Sequence, residues 1–327
     1  MRYKLRRCYF MTLLVVGGAF FSGPAAAQTY PSRVIKIIVP VSVGSQPDVL
    51  ARLFAQLLSN EVGTTIVENR PGGNTVIGTK AVADADPDGY TLLYASASSL
   101  ALAPALNSSP GYDPVKSFAP IATFSTSTFM LFVGKSVPES VKTVEDFIAY
   151  AKERPGKLNY AANPGSPPHV AGELFKRATG LDMVRVAYRG LSQAYSDMVG
   201  GQMDAMFDAP APMVPLVAEG KLRALVSLGA QRSVALPDVR TMKEAGLGDV
   251  QLESWNGLAA PVGTPPAIVA RLNKVINDGL SRDEIKSAML KYAVDPLVTT
   301  PEQFAMLIAR DALRWQDIVT AANVRLE

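Results

Sequence analysis

Val34-Ile35-Lys36-Ile37-Ile38-Val39, then Pro40-Val41-Ser42-Val43-Gly44-Ser45-Gln46-Pro47-Asp48, then Val49-Leu50-Ala51-Arg52-Leu53-Phe54-Ala55-Gln56-Leu57-Leu58 is the stretch that decides the fold. Its first part is β-branched except for one lysine and reads as a short, buried strand. Its last part places apolar side chains at helical spacing. Between them runs a loop of small residues, the kind of strand-to-helix connection that opens a βαβ unit.

The same alternation continues outward. Strands are predicted over 65–67, 91–95, 158–160, 183–187, 205–207 and 222–227, with helices across 77–83, 167–179, 191–200 and 211–219. Strands separated by helices imply an α/β protein with mainly parallel sheets covered on both faces. The last third changes to long helices, over 265–281 and 301–322. Thr264-Pro265-Pro266 suits a capped start with proline in the first turn. Thr300-Pro301-Glu302-Gln303 suits another, with Gln303 placed to close a capping box. Some 300 residues beyond a leader exceed what one core usually holds, so two lobes are expected.

The first 27 residues carry Arg2, Lys4, Arg6 and Arg7, no acid, then an apolar run ending in Ala25-Ala26-Ala27. This predicts a signal peptide cleaved after Ala27, and a Gram-negative periplasm as destination. The run is broken by Gly17-Gly18 and Gly23-Pro24, which argues against a membrane anchor. Of 32 basic residues four lie in this leader, leaving 28 against 29 acids. A near-neutral chain lacks the basic excess of a nucleic-acid binder. Cys8, the only cysteine, also lies there, so the exported chain has no disulfide, thiolate nucleophile or cysteine metal site.

In parallel sheets, ligands sit outside the carboxyl ends of the strands. The loop Val41, Ser42, Val43, Gly44, Ser45, Gln46 could offer backbone N–H groups to an anion, with Asp48 complementing the helix dipole in the first turn. Ser96, Ala97 and Ser98 follow the third strand, where hydroxyls serve either a ligand or a helix cap. Asn163, Ser166 and His169 surround a Pro167-Pro168 helix start. Arg189, with Gly190, Ser192 and Gln193, follows the next strand and could pair with a carboxylate. Asp208 ends a strand and could accept from a ligand hydroxyl or ammonium, or orient backbone amides.

Catalytic patterns are absent. One histidine cannot build a histidine-rich metal site, and neither a G-x-S-x-G elbow nor a Walker loop occurs. Gly72-Gly73-Asn74-Thr75-Val76-Ile77-Gly78 does not fit G-x-G-x-x-G. Ser166 and His169 are too close in one helix start to count as a dyad. No cofactor and no enzyme activity are expected.

Read together, these segments resemble the Bug family of periplasmic substrate-binding proteins of tripartite tricarboxylate transporters. The matching stretches are Val39-Pro40 through Asp48-Val49-Leu50-Ala51-Arg52, Val67-Glu68-Asn69-Arg70-Pro71-Gly72-Gly73 with Ile77-Gly78, Pro87-Asp88-Gly89-Tyr90-Thr91-Leu92-Leu93, and Tyr112-Asp113-Pro114-Val115-Lys116. They continue with His169-Val170-Ala171-Gly172-Glu173-Leu174-Phe175, Tyr188-Arg189-Gly190, Gly200-Gly201-Gln202 and Phe207-Asp208. The resemblance spans essentially all of 30–325. It implies a two-lobed Venus-flytrap fold of the periplasmic-binding-protein kind, with lobe 1 over 28–126 and 255–327 and lobe 2 over 127–254. It also implies capture of a small carboxylate by amides, small hydroxyls and water, then docking of the closed form on membrane permease subunits; the sequence gives no direct sign of oligomerisation, and a monomer is expected.

The chain departs from the family pattern where a ligand would sit. Val41 stands where the family has an aromatic residue, Gly44-Ser45 replaces a Gly-Gly pair, and Pro47 replaces Thr or Ser. Arg189-Gly190-Leu191-Ser192-Gln193 replaces a Lys-Gly-Gly-x-Pro-like turn. These changes suggest a bulkier or partly aromatic carboxylate. An exported hydrolase is disfavoured by the missing nucleophile–base pair. A sensory module feeding a signalling receptor would use the same flytrap.

Overall fold

The computed structural model describes residues 30–188, 191–248, 250–292, 294–321 and 324; the proposed signal peptide, Arg189 and Gly190 lie outside them. The opening stretch folds as expected. β1 (Ile35–Val39) is buried except at Lys36, and α1 (Gln46–Glu61) turns Leu50, Phe54, Leu57 and Leu58 inward. β2 (Thr65–Asn69), α2 (Val76–Ala83) and β3 (Thr91–Ser96) follow, then a π-helical turn (Ser98–Leu102) running into α3 (Ala103–Leu106). β1 pairs in parallel with both β2 and β3, giving the βαβ units read from the sequence.

β4 (Phe118–Thr128) then begins a new section. It leads through Phe129 into β5 (Met130–Val133), α4 (Val144–Lys152), β6 (Asn159–Ala162), α5 (Pro167–Thr179), β7 (Val184–Ala187), α6 (Leu191–Gly200), β8 (Ala205–Asp208), α7 (Val214–Ala218) and β9 (Arg223–Ser227). β10 (Glu253–Pro261) returns to the first sheet. It precedes α8 (Pro266–Leu280), α9 (Asp283–Lys291), the short β11 (Asp295–Pro296) and α10 (Pro301–Ala321).

Two sheets result, with orders β11-β4-β10-β3-β1-β2 and β7-β6-β8-β5-β9. In the first, β10 lies antiparallel between β3 and β4. In the second, β5 lies antiparallel between β8 and β9, while β6 pairs in parallel with β7 and β8. Both sheets are therefore mixed rather than mainly parallel as expected: β10 and β11 run against the other strands of the first sheet and β5 against those of the second, because the strands next to the passages between sheets reverse the chain direction. The chain leaves the first sheet at Thr128 and enters the second at Met130, so the passage is a single residue long.

The first lobe's core stacks Phe54 on Phe124, ring centroids 4.2 Å apart, with Tyr94 tilted against Phe124 at 5.4 Å. β10 approaches β4 closely at Gly257, where a Cβ would meet the Ala122 carbonyl oxygen at 2.4 Å. Trp255 donates its Nε1–H to buried Asp311 at 2.8 Å and packs edge-on against Phe304, tying β10 to α10. α10 opens on the expected capping box: Thr300 N–H donates to Gln303 Oε1 at 2.9 Å, and Gln303 N–H to Thr300 Oγ1 at 3.2 Å. Its far end crosses to the second sheet's helices, where Arg177 of α5 donates to the Ala321 carbonyl at 2.8 Å.

Candidate functional site

The carboxyl ends of β1, β3 and β8 and the start of α5 open on one cleft of about 780 Å³. This is where parallel-sheet geometry puts ligands. The wall from the first sheet is the β1–α1 loop, and Pro40 through Pro47 all line it. Asp48 holds this loop from beneath. Its Oδ2 accepts the Gly44 N–H at 2.9 Å and Arg52 Nε at 3.2 Å; its Oδ1 accepts Arg52 Nη2 and Asn69 Nδ2, each at 2.9 Å. Asn69 also donates to the Val41 carbonyl at 3.2 Å. Burial alone would raise the Asp48 carboxyl, but the bonds from Arg52, Gly44 and Asn69 outweigh it and hold the group below the usual carboxylate range.

Asp48 is therefore a buried brace, 2 % exposed, and does not line the cleft. The bracing also corrects the expected role of Gly44. Its N–H is spent on Asp48, and its φ of +81° shows that it contributes a left-handed turn rather than a donor. Ser45 Oγ donates to the Ser42 carbonyl at 2.8 Å. Gln46 reaches across to the Tyr292 carbonyl at 3.0 Å and pins the loop to the end of α9.

The third strand contributes Tyr94 and Ser96 to the lining and the π-helical turn after it Ser98, while Ala97 is buried. Ser96 serves as a cap as well. Its N–H donates to Ser99 Oγ at 3.0 Å, and Ser99 N–H donates to Ser96 Oγ at 3.2 Å. Tyr94 is 1 % exposed, and among the described residues its hydroxyl has no hydrogen-bond partner. Burial pushes that hydroxyl far above its ordinary pKa.

The floor comes from the strands that carry the chain between sheets: Ser127 and Phe129 on one side, Ser254 and Asn256 on the other. Ser127 and Ser254 face each other in the β4–β10 register. The opposite wall holds Pro167, Leu191, Tyr195, Asp208, Ala209, Ala211 and Pro212. Asp208 Oδ2 accepts the Tyr195 hydroxyl at 2.8 Å, and Oδ1 accepts the Ala209 N–H at 2.8 Å. Burial pushes the Asp208 carboxyl up to about 6, against those two bonds.

The remaining expected residues build the second wall instead of lining it. Ser166 Oγ donates to the Asn163 carbonyl at 2.6 Å. His169, buried, accepts the Gly165 N–H on Nδ1 at 3.2 Å, so Ser166 and His169 form turn bonds, not a dyad. Gln193 is exposed and donates to Asp197 at 2.8 Å. Arg189, Gly190 and the side chain of Ser192 lie outside the described part of the molecule. Among the described residues no group of three acids, histidines or cysteines could hold a metal, and no helix is long and apolar enough to cross a membrane.

Sequence reasoning missed the floor residues and Tyr94, Tyr195, Lys291 and Tyr292. Tyr195 was within reach, since it comes after the Tyr188-Arg189-Gly190 turn on a predicted helix. Ser127, Ser254 and Asn256 had no signal, because their strands show no alternation of apolar and polar residues.

Residues 50–324 match the family model of the tripartite tricarboxylate transporter family receptor, TctC. The chain belongs to that family. It is 33 % identical to the protein BugT of Bordetella pertussis over 323 residues, covering 96 % of this chain and 98 % of the relative. Two solved structures share the architecture. Rpa4515 of R. palustris, solved with adipate, superposes with a TM-score of 0.82 at 30 % identity, covering 90 % of this chain and 99 % of that one. MatC from Rhodopseudomonas palustris, with bound malate, gives 0.76 at 31 %, covering 89 % and all of that chain. The α/β fold is thus the two-lobed fold of periplasmic binding proteins, and members of this family are receptors, not enzymes.

Proposed function

We propose that this TctC-family receptor captures a small organic carboxylate between its two lobes and delivers it to the membrane subunits of a tripartite tricarboxylate transporter. The lobes are 28–126 with 255–327, and 127–254. The observation that carries the reading is the braced β1–α1 loop facing the Tyr195–Asp208 wall across one cleft. At the loop, the hydroxyl of Ser42 and the first-turn amides of α1 meet one carboxylate, where helix-end donors favour negative charge. Ser96, Ser98, Ser127 and Ser254 offer further hydroxyls on the same side. Relatives bound to adipate and malate support a carboxylate as ligand.

The lining favours a body larger than a small amino acid. Tyr94, Phe129, Leu191, Tyr195 and Tyr292 all border the cleft, and Val41 leaves room beside them. Ligand stabilises a closed form to the extent that it binds that form better than the open one. Export follows cleavage after Ala27, and the receptor works as a monomer.

Calorimetric titration with a panel of aliphatic and aromatic carboxylates tests the ligand class. Saturable binding of a bulky or aromatic acid is expected, and exclusive binding of small aliphatic acids defeats the size argument. Uptake by vesicles holding the permease subunits must depend on added receptor for the transport reading to stand. N-terminal sequencing of periplasmic protein checks the cleavage site, and light scattering checks the monomer.

A further inference from the structure

The cleft wall from the second sheet carries a buried acid in a site that otherwise suits an anion. Asp208 ends β8 at 6 % exposure and borders the cleft, with no cation among its described partners. Its two partners, the Tyr195 hydroxyl and the Ala209 N–H, are neutral donors. Each carboxylate oxygen keeps a further lone pair for a ligand. Pro167, Leu191, Ala211 and Pro212 line the same cleft and Asp208 is itself buried, so a ligand group that reaches Asp208 leaves water behind.

We propose that the Asp208–Tyr195 pair determines specificity at the end of the ligand remote from the β1–α1 loop, by admitting only a group that brings a proton to Asp208. Such a group is a hydroxyl, an ammonium or the protonated form of a second carboxyl. The inference rests on the carboxylate-capture reading and deepens it. A dicarboxylate would place two like charges together in a dry site, where one of the pair must stay protonated. It therefore binds with uptake of one proton, while a hydroxy acid needs none.

The neighbours of β8 leave Asp208 as the group that takes this role. On α6, Tyr195 donates to it and Asp197 is engaged with Tyr188 and Gln193. On α5, His169 is engaged by Gly165, and Glu173 accepts from Lys176 and from Tyr160 of β6. β5 meets Asp208 at Met130, which does not titrate. Across the cleft stands Lys291 of α9, on the first lobe. The Asp208 carboxyl, raised to about 6 by burial, accepts a proton readily near neutral pH.

Isothermal titration of the wild-type protein between pH 6.5 and 8.5, in two buffers of different ionisation enthalpy, tests the proposal. The probes are hexanoate, 6-hydroxyhexanoate and adipate, with benzoate, 4-hydroxybenzoate and terephthalate as the aromatic set. For whichever carbon body binds, the hydroxy acid is expected to exceed the unsubstituted acid by about tenfold or more, with flat pH dependence. The dicarboxylate is expected to lose about tenfold per pH unit and take up about one proton. Tyr195→Phe, which removes a bond favouring the ionised form, should move the onset of that loss to higher pH, and Asp208→Asn should abolish it. A dicarboxylate that binds at pH 8.5 as tightly as the hydroxy acid, without proton uptake, overturns the inference and leaves carboxylate capture standing. Absence of binding by all six acids removes both.

Discussion

Asp48 and Asp208 both sit near the carboxyl end of a strand, buried to 2 % and 6 % exposure, and the protein treats them in opposite ways. Asp48 receives a guanidinium, a side-chain amide and a backbone N–H, and its carboxyl is held below the ordinary range in spite of burial. Asp208 receives one phenol and one backbone N–H, and burial prevails, lifting it to about 6. The difference teaches that burial and residue type alone do not assign a role. A fully bonded buried acid is architecture, whereas one left with neutral partners and spare lone pairs at a cleft is available to a ligand.

Removing each carboxylate separates the two cases most sharply. Asp48→Ala strips the brace from Gly44, Arg52 and Asn69 and should cost about 3 kcal/mol in urea unfolding, since buried donors lose their acceptor. Ligand affinity should fall with it, because the loop loses its shape. A loss below about 1 kcal/mol would mean that Asp48 is no brace.

Asp208→Asn should act with the opposite sign at neutral pH. The folded carboxyl is raised from 3.8 to about 6. Its penalty is therefore absent below the unfolded value, grows as pH rises between the two, and is complete above about 6, at up to roughly 3 kcal/mol. The variant should gain on the wild type by about 1–3 kcal/mol between pH 4 and pH 7.5. Parallel stability–pH curves for the two proteins would cancel the contrast with Asp48.

A smaller effect is expected at Gly44. A Cβ there meets nothing within 4 Å, so the cost comes chiefly from the φ of +81°. Gly44→Val should destabilise by about 2 kcal/mol and weaken binding. Normal folding and affinity would remove the β1–α1 loop from the proposed grip. The smallest effect belongs to Tyr94→Phe. The hydroxyl has no partner among the described residues, so unliganded stability should change by less than about 0.5 kcal/mol, while affinity drops by about 1 kcal/mol if the ligand supplies that partner. Unchanged affinity would leave the Tyr94 hydroxyl without a function.

The first wall is far more legible in the sequence than the second. The β1–α1 loop announces itself through a β-branched run, small residues and an amphipathic helix, all contiguous, and Val41 through Gln46 line the cleft. The floor is not readable. Phe118–Thr128 contains Pro120 and a Ser/Thr-rich end, and Glu253–Pro261 contains Asn256 and Gly257, so neither resembles a strand by local pattern. They become strands because each pairs with the other, more than 120 residues away in sequence. His169 and Asn163 read as ligand contacts because their segment comes after a strand, yet bonds within the turn hold His169 and Ser166 behind the wall.

By itself the sequence determined what depends on neighbours along the chain: the βαβ alternation and the capping box that opens α10, whereas Thr264 gives α8 no such cap, its hydroxyl donating to the Pro261 carbonyl instead. Only the tertiary structure decided which polar groups remain open. Whether an aspartate is braced by an arginine or left to a tyrosine depends on residues brought together across helices and sheets. The field at each carboxyl is set by those partners and by the water they exclude, and neither is written in local spacing.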